Sequence, residues 1–177
     1  MSGHSFGRGI VLAGLLALVV GLAPAFSMDG VYMSKVEAIA GGLTVYTQHD
    51  VKIVVEDSIN PDAYIHPLGH IVITTGILDL FNNDSELAFI IGHELAHIVR
   101  GHFDDKSDVL GISKDIYLPE NIWKEMDADA YSLKIIKAAG YEPAASLRVL
   151  NILRTNNLGQ SSSLEKRMSV LVSNIGD

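Results

Sequence analysis

The chain has 177 residues, a formal net charge of −8 and a hydrophobic content of 48%. That length supports one domain with its own core, and the acidic balance excludes nucleic acid as a natural partner, because phosphate binding needs clustered Lys and Arg. Cysteine is absent, which removes disulfides, thiolate nucleophiles and sulfur-ligated zinc, so any metal must be held by His, Asp or Glu.

In chain order, Arg8 precedes the apolar run Ile10 to Ala23, and small residues stand at Ala23 and Ala25. The pattern reads as the n-region, h-region and cleavage site of a signal peptide over residues 1–27. The apolar run is short of the ~20 residues of a spanning helix, and an uncleaved N-terminal membrane anchor is the alternative. Either way residues 28–177 are expected to form a single domain of an exported protein, in the periplasm or cell envelope. Membrane contact is expected only through the N-terminal segment.

Residues 29–40 have helical spacing, with Val36 and Ile39 on one face, and Gly41 with Gly42 is expected to stop that helix. Two β-rich runs come next at 43–47 and 51–57, with His49 and Asp50 at the turn between them. The stretch 60–69 holds two prolines and reads as loop; 70–76 is β-branched and reads as a third strand. Asn83, with Glu86 three residues later, has the form of a capping box opening a long helix. Leu87, Ile90, Ile91, Leu95 and Ile98 keep its period, and Gly101 is expected to end it. Residues 102–118 are polar and irregular, and Asp104, Asp105 and Asp108 there read as a solvated loop. Pro119 opens another helix that runs to Gly140, and 142–156 and 163–174 give two more. The expected fold is α+β, mainly helical, with a small and mostly antiparallel sheet beside the 83–101 helix.

Within that helix the apolar run IIGHELAHIV carries His93, Glu94 and His97. Buried without partners these groups would cost several kcal/mol. Histidines four apart share one helix face, so both imidazoles can reach one metal ion. Glu94 is the next residue round, able to reach water at that ion as a general base. A catalytic zinc needs a third protein ligand. Histidine does not supply it in the extended H-E-x-x-H-x-x-G-x-x-H spacing, since Arg100 and Phe103 stand at the required positions. His102, five residues past His97, is turned off the face. The segment EMDAD offers Glu125 as a ligand and Asp129 as a partner for the outer N–H of a ligating histidine. Glu120 competes as a ligand, although an acid in a first helical turn also simply favours the helix dipole.

With these motifs the chain resembles peptidase family M48. DAYIHPLGHIVITTGIL is similar to the family's segment before the motif helix, with Asp62 and Tyr64 where Asn and Phe are usual. SELAFIIGHELAHIVRGH resembles the motif helix, and EMDADAYSLKIIKAAGYEPAASLRVLNIL the third-ligand helix and the segment after it. The resemblance implies a zincin-like fold and a zinc metalloendopeptidase. It implies one zinc per chain held by His93, His97 and Glu125, with Glu94 as base and Asp129 behind the ligands. Polypeptides are the implied substrates, with the strand at 70–75 offering an edge beside the motif helix to extended segments. Arg167 is kept where relatives carry an arginine and is a candidate for substrate or oxyanion contact; His66 and His70 are further candidates for the oxyanion. One departure is that Ser161 and Ser162 stand where the family often has His-Pro. That keeps open an alternative, a metal-binding envelope protein that holds partners without cleaving them.

Overall fold

The computed structural model describes residues 28–81, 83–102 and 119–176. The expected signal peptide and the loop with Asp104, Asp105 and Asp108 lie outside the described residues. Helix α1 (Met28–Thr44) precedes strands β1 (Ile53–Glu56), β2 (Ala63–Ile65) and β3 (Ile71–Thr74). Helices α2 (Thr75–Leu80), α3 (Asp84–Val99), α4 (Pro119–Ala138), α5 (Ala145–Thr155) and α6 (Ser161–Ile175) complete the order. The fold is α+β, mostly helical, with one small sheet.

The sheet runs β1-β3-β2 and is mixed rather than mostly antiparallel: β1 pairs parallel with β3, and β2 antiparallel. β3 has a strand on each side, and all four of its residues are buried. The strand expected to present an edge is therefore central. The edge beside α3 belongs to β2, from a stretch that reads as loop because it is short and flanked by prolines. A second correction concerns residues 43–47. Leu43 is fully buried on α1, in helical register with Val36 and Ile39, and Tyr46 and Thr47 donate back to the Leu43 and Thr44 carbonyls. Core burial carries α1 through both glycines, and no strand forms there.

Two side-chain caps set the approach to α3. Thr74 ends β3 and its hydroxyl accepts from the Ile77 amide, so the chain turns directly from strand into α2. The same hydroxyl accepts from the Asp62 amide at 2.8 Å, tying the start of β2 to the end of β3. Asn83 caps α3 as expected, accepting from the Ser85 and Glu86 amides at 2.9 and 3.3 Å. The Glu86 carboxylate accepts from Arg148 Nε of α5 at 2.9 Å.

Leu87, Phe89, Ile91 and Leu95 of α3 are each about 1% exposed. Burying side chains of this size contributes roughly 1.5–3 kcal/mol apiece. α3 packs most extensively on α4, and the approach is close. Ser132 of α4 donates to the Phe89 carbonyl at 2.9 Å, and a Cβ on Gly92 would fall 2.6 Å from the Ser132 hydroxyl. Gly92 is thus required by the helix–helix distance. Alanine there should gain about 0.5–1 kcal/mol of helix propensity but lose about 1–3 kcal/mol to overpacking. Gly92→Ala is expected to lower the urea midpoint. The double variant Gly92→Ala/Ser132→Ala should recover much of the loss, because the Ser132 Cβ lies 3.5 Å away, in ordinary contact. Additive losses in the two variants would refute this account.

Candidate metal centre

α3 and α4 bring three donor side chains to one point. His93 and His97 face the same way one turn apart, with their Nε2 atoms 3.1 Å from each other. Glu125 of α4 closes the triangle, its Oε2 3.3 Å from His93 Nε2 and its Oε1 3.3 Å from His97 Nε2. Among the described residues, these three form a cluster whose ligand atoms all lie within 4.8 Å of one another. Zinc bonds of about 2.0–2.1 Å in a tetrahedron put neighbouring donors roughly 3.3 Å apart. The spacing and the two-imidazole, one-carboxylate donor set therefore fit a zinc ion. The side chain of Glu120 lies outside the described residues.

Behind the donors lies a buried ion cluster. Arg167 of α6 donates Nε and one terminal nitrogen to Asp129, and the other terminal nitrogen to Glu125, each at 2.7 Å. Asp129 is 1% exposed, and its Oδ1 lies 3.0 Å from His93 Nδ1. That contact is off the line of the N–H, so the carboxylate orients the ring through charge more than through a directed hydrogen bond. Arg167 also lines the cavity in front of the donors, yet all three of its nitrogens are engaged with Glu125 and Asp129.

These contacts set the charge states. Burial works against the charge on Glu125, but His93, His97 and Arg167 outweigh it and hold the carboxyl well below its ordinary range. Burial likewise opposes the charge on Asp129, and Arg167 and His93 hold its pKa down. Loss of water alone would lower the pKa of His93, but Glu125 and Asp129 push it up to about 10. His97 is lowered, chiefly by burial. Glu94 lines the same cavity, and burial pushes its carboxyl up to about 7, with His93 opposing and Glu125 adding to the rise.

The cavity has a volume of about 200 Å³. Phe89, Ile90, Val149, Leu150, Leu153 and Leu158 form its apolar wall, and Asp62 at the start of β2 stands on its rim with Glu94 and Glu125. His66 and His70 stack on each other in the β2–β3 turn, ring centroids 4.3 Å apart, and neither lines the cavity. Ser161 and Ser162 are exposed in the first turn of α6.

Three further residues reach the centre without a motif to announce them. Gly101 adopts φ +68°, and the His102 amide donates to the His97 carbonyl while the Gly101 amide donates to Ile98. This is a Schellman closure, and it swings His102 back beside His97. There His102 meets Asp127 of α4, which is clamped by Arg100. The signal available in the sequence is a glycine between two histidines at the end of a helix.

A metal at these donors must displace the proton that the two carboxylates hold on His93. Zinc affinity is therefore expected to rise with pH from 6 towards 10, with about one proton released per zinc at pH 7. Titration calorimetry in buffers of different ionisation enthalpy measures that release. A pH-independent affinity would contradict the assignment of His93 as a donor.

The sequence profile of peptidase family M48 matches residues 32–118, which takes in α3 and stops before α4. "Mitochondrial metalloendopeptidase OMA1" of Arabidopsis thaliana is 30% identical over 120 residues, covering 53% of this chain and 23% of that protein. "Metalloendopeptidase OMA1, mitochondrial" of Bos taurus is 33% identical over 85 residues, 45% of this chain and 16% of that protein. The protein of the same name from Homo sapiens is 36% identical over 56 residues, 32% of this chain and 11% of that protein. The matched segments thus span less than a quarter of these relatives' length. The family profile and the OMA1 metalloendopeptidases together support peptidase family M48 as the family of this chain.

Proposed function

We propose that the chain is a zinc-dependent endopeptidase of zincin-like fold that hydrolyses peptide bonds in unfolded or extended protein segments. The observation that carries this reading is the convergence of His93, His97 and Glu125 at one point, with Glu94 beside them in a cavity next to β2, an edge strand among the described residues. The relatives' printed names, metalloendopeptidases, support it.

His93, His97 and Glu125 would hold one zinc ion. When bound, zinc supplies electrophilic chemistry, acidifying water and polarising a carbonyl. Glu94 takes a proton from the attacking water and delivers it to the leaving amine. A carboxyl with a pKa near neutrality is matched to both halves of that transfer. Arg167 and Asp129 hold the donors in register, and His93, His97 and Arg167 keep Glu125 ionised. The edge of β2 offers backbone groups to an extended peptide, a mode that reads shape more than sequence. The apolar wall beside Glu94 favours an apolar side chain next to the cleaved bond.

The proposed setting is the cell envelope, reached through the N-terminal segment, with association with the membrane. Among the described residues no helix is long and apolar enough to cross a membrane. N-terminal sequencing of the mature protein tests this: a start near residue 28 excludes an uncleaved anchor.

Glu94→Gln keeps the shape of the side chain and removes the base. Zinc content should be unchanged while cleavage of an unfolded substrate such as casein falls by about 10²–10⁴-fold. Full cleavage by this variant would overturn the role of Glu94. Zinc binding by the wild type with no turnover of any unfolded substrate would instead establish the non-cleaving alternative.

A further inference from the structure

His93 and His97 turn their Nε2 atoms to one point, but their Nδ1 atoms meet different partners. His93 Nδ1 faces a carboxylate, while His97 Nδ1 lies 3.2 Å from Nδ1 of His102. On the other side of the His102 ring, Nε2 lies 3.1 Å from Asp127 Oδ2. Asp127 in turn accepts from Arg100 Nε and a terminal nitrogen at 2.7 and 2.8 Å. The His102 side chain is only 7% exposed. Its backbone is pinned from both sides: its amide donates to the His97 carbonyl, and its carbonyl accepts from Lys124 Nζ at 3.1 Å. Trp123 stands edge-on to the ring, centroids 6.4 Å apart.

We propose that His102 is a positioning residue for His97, and that His102, Asp127 and Arg100 form a one-way hydrogen-bond relay fixing the tautomer and ring plane of that ligand. The inference rests on the reading of His93, His97 and Glu125 as a zinc centre. His102 is not a fourth ligand, because it lies outside the cluster of donor atoms and faces the far nitrogen of His97. A neutral His97 that offers the Nε2 lone pair to a metal carries its proton on Nδ1. His102 Nδ1 must then be the acceptor, which places its own proton on Nε2, 3.1 Å from Asp127 Oδ2. Asp127 is fixed as an acceptor by the two donors of Arg100. That single arrangement gives each contact in the series a donor on one side and an acceptor on the other. The opposite arrangement would set a proton on His97 Nε2, where the metal belongs.

The two imidazoles are thus held by different means. His93 is oriented by a buried aspartate bound to α6, whereas His97 is oriented by an imidazole at the end of its own helix. Removing an outer partner of this kind weakens metal binding by about 10–100-fold. Asparagine places its amide oxygen where the His102 Nδ1 stands, so it can accept from His97 without reaching Asp127.

The test is zinc affinity of the full chain by competition with a chromogenic chelator, paired with long-range 1H–15N spectra of the zinc-loaded wild type. The spectra should show His97 protonated on Nδ1 and His102 on Nε2. His102→Ala should bind zinc about 10–100-fold more weakly, and His102→Asn should recover most of that loss. An affinity for His102→Ala within about twofold of wild type, or a His102 proton on Nδ1, would overturn the proposal. If the alanine variant does not fold, the wild-type tautomers still decide. A wild type that binds no zinc would defeat the metal-centre reading together with this one; zinc binding left unchanged by the substitutions would defeat this one alone.

Discussion

The guanidinium of Arg167 is the constraint around which the centre is built. Two carboxylates are drawn in among helices: Asp129 is buried, and Glu125 is half-buried with its side chain 32% exposed. Buried acids without a counter-charge take up protons or draw water in. Arg167 prevents both by giving one nitrogen to Glu125 and two to Asp129. Because its fork is planar and rigid, it fixes direction as well as charge. Glu125 is left facing the imidazole pair, and Asp129 is left facing the outer nitrogen of His93. The donor atoms are therefore held in place by protein contacts, and the cost of ordering them is met by folding.

That arrangement needs α3 and α4 at a particular separation. Gly92 against Ser132 sets it, with a serine hydroxyl bridging to the α3 backbone. The same two helices carry the His97–His102–Asp127 series on the other flank of the donors. The α3–α4 contact is thus bracketed by two polar systems, each ending in an arginine. One arginine comes from α6 and is buried, and the other, Arg100, sits at the C-cap of α3. Strand edge and cavity depend on a separate device, the Thr74 hydroxyl, which holds Asp62 and the start of β2 beside α3.

Much of this is legible in the sequence, for identifiable reasons. The Asn83 cap and the period of Leu87, Ile91 and Leu95 mark α3, and the four-residue spacing puts His93 and His97 on one face. Glu125 and Asp129 are one turn apart, so a helix there has to present both in the same direction. The sheet is harder. β2 has three residues, too few to show alternation, and it hides between prolines. The β-branched run 43–47 reads as a strand, but burial of Leu43 against the core continues α1 through two glycines. α2 is hidden because Thr74 caps a helix while still paired in β3. Helical geometry alone turns His102 away from the site. That reasoning holds inside a helix, but Gly101 leaves the helix with positive φ and returns the ring to its neighbour. Arg167 is legible as a candidate at the site. That its nitrogens bind two acids on α4 depends on how α6 docks, which no local pattern records.

The position of α6 in the chain order has a consequence for biogenesis. Arg167 is made 38 residues after Asp129 and 42 after Glu125. During synthesis from the N-terminus, α3 and α4 are complete while their acids still await the balancing cation. Until α6 docks, Glu125 and Asp129 lack the Arg167 counter-charge that the folded protein gives them. The donor set is in this way completed only once α6 has docked.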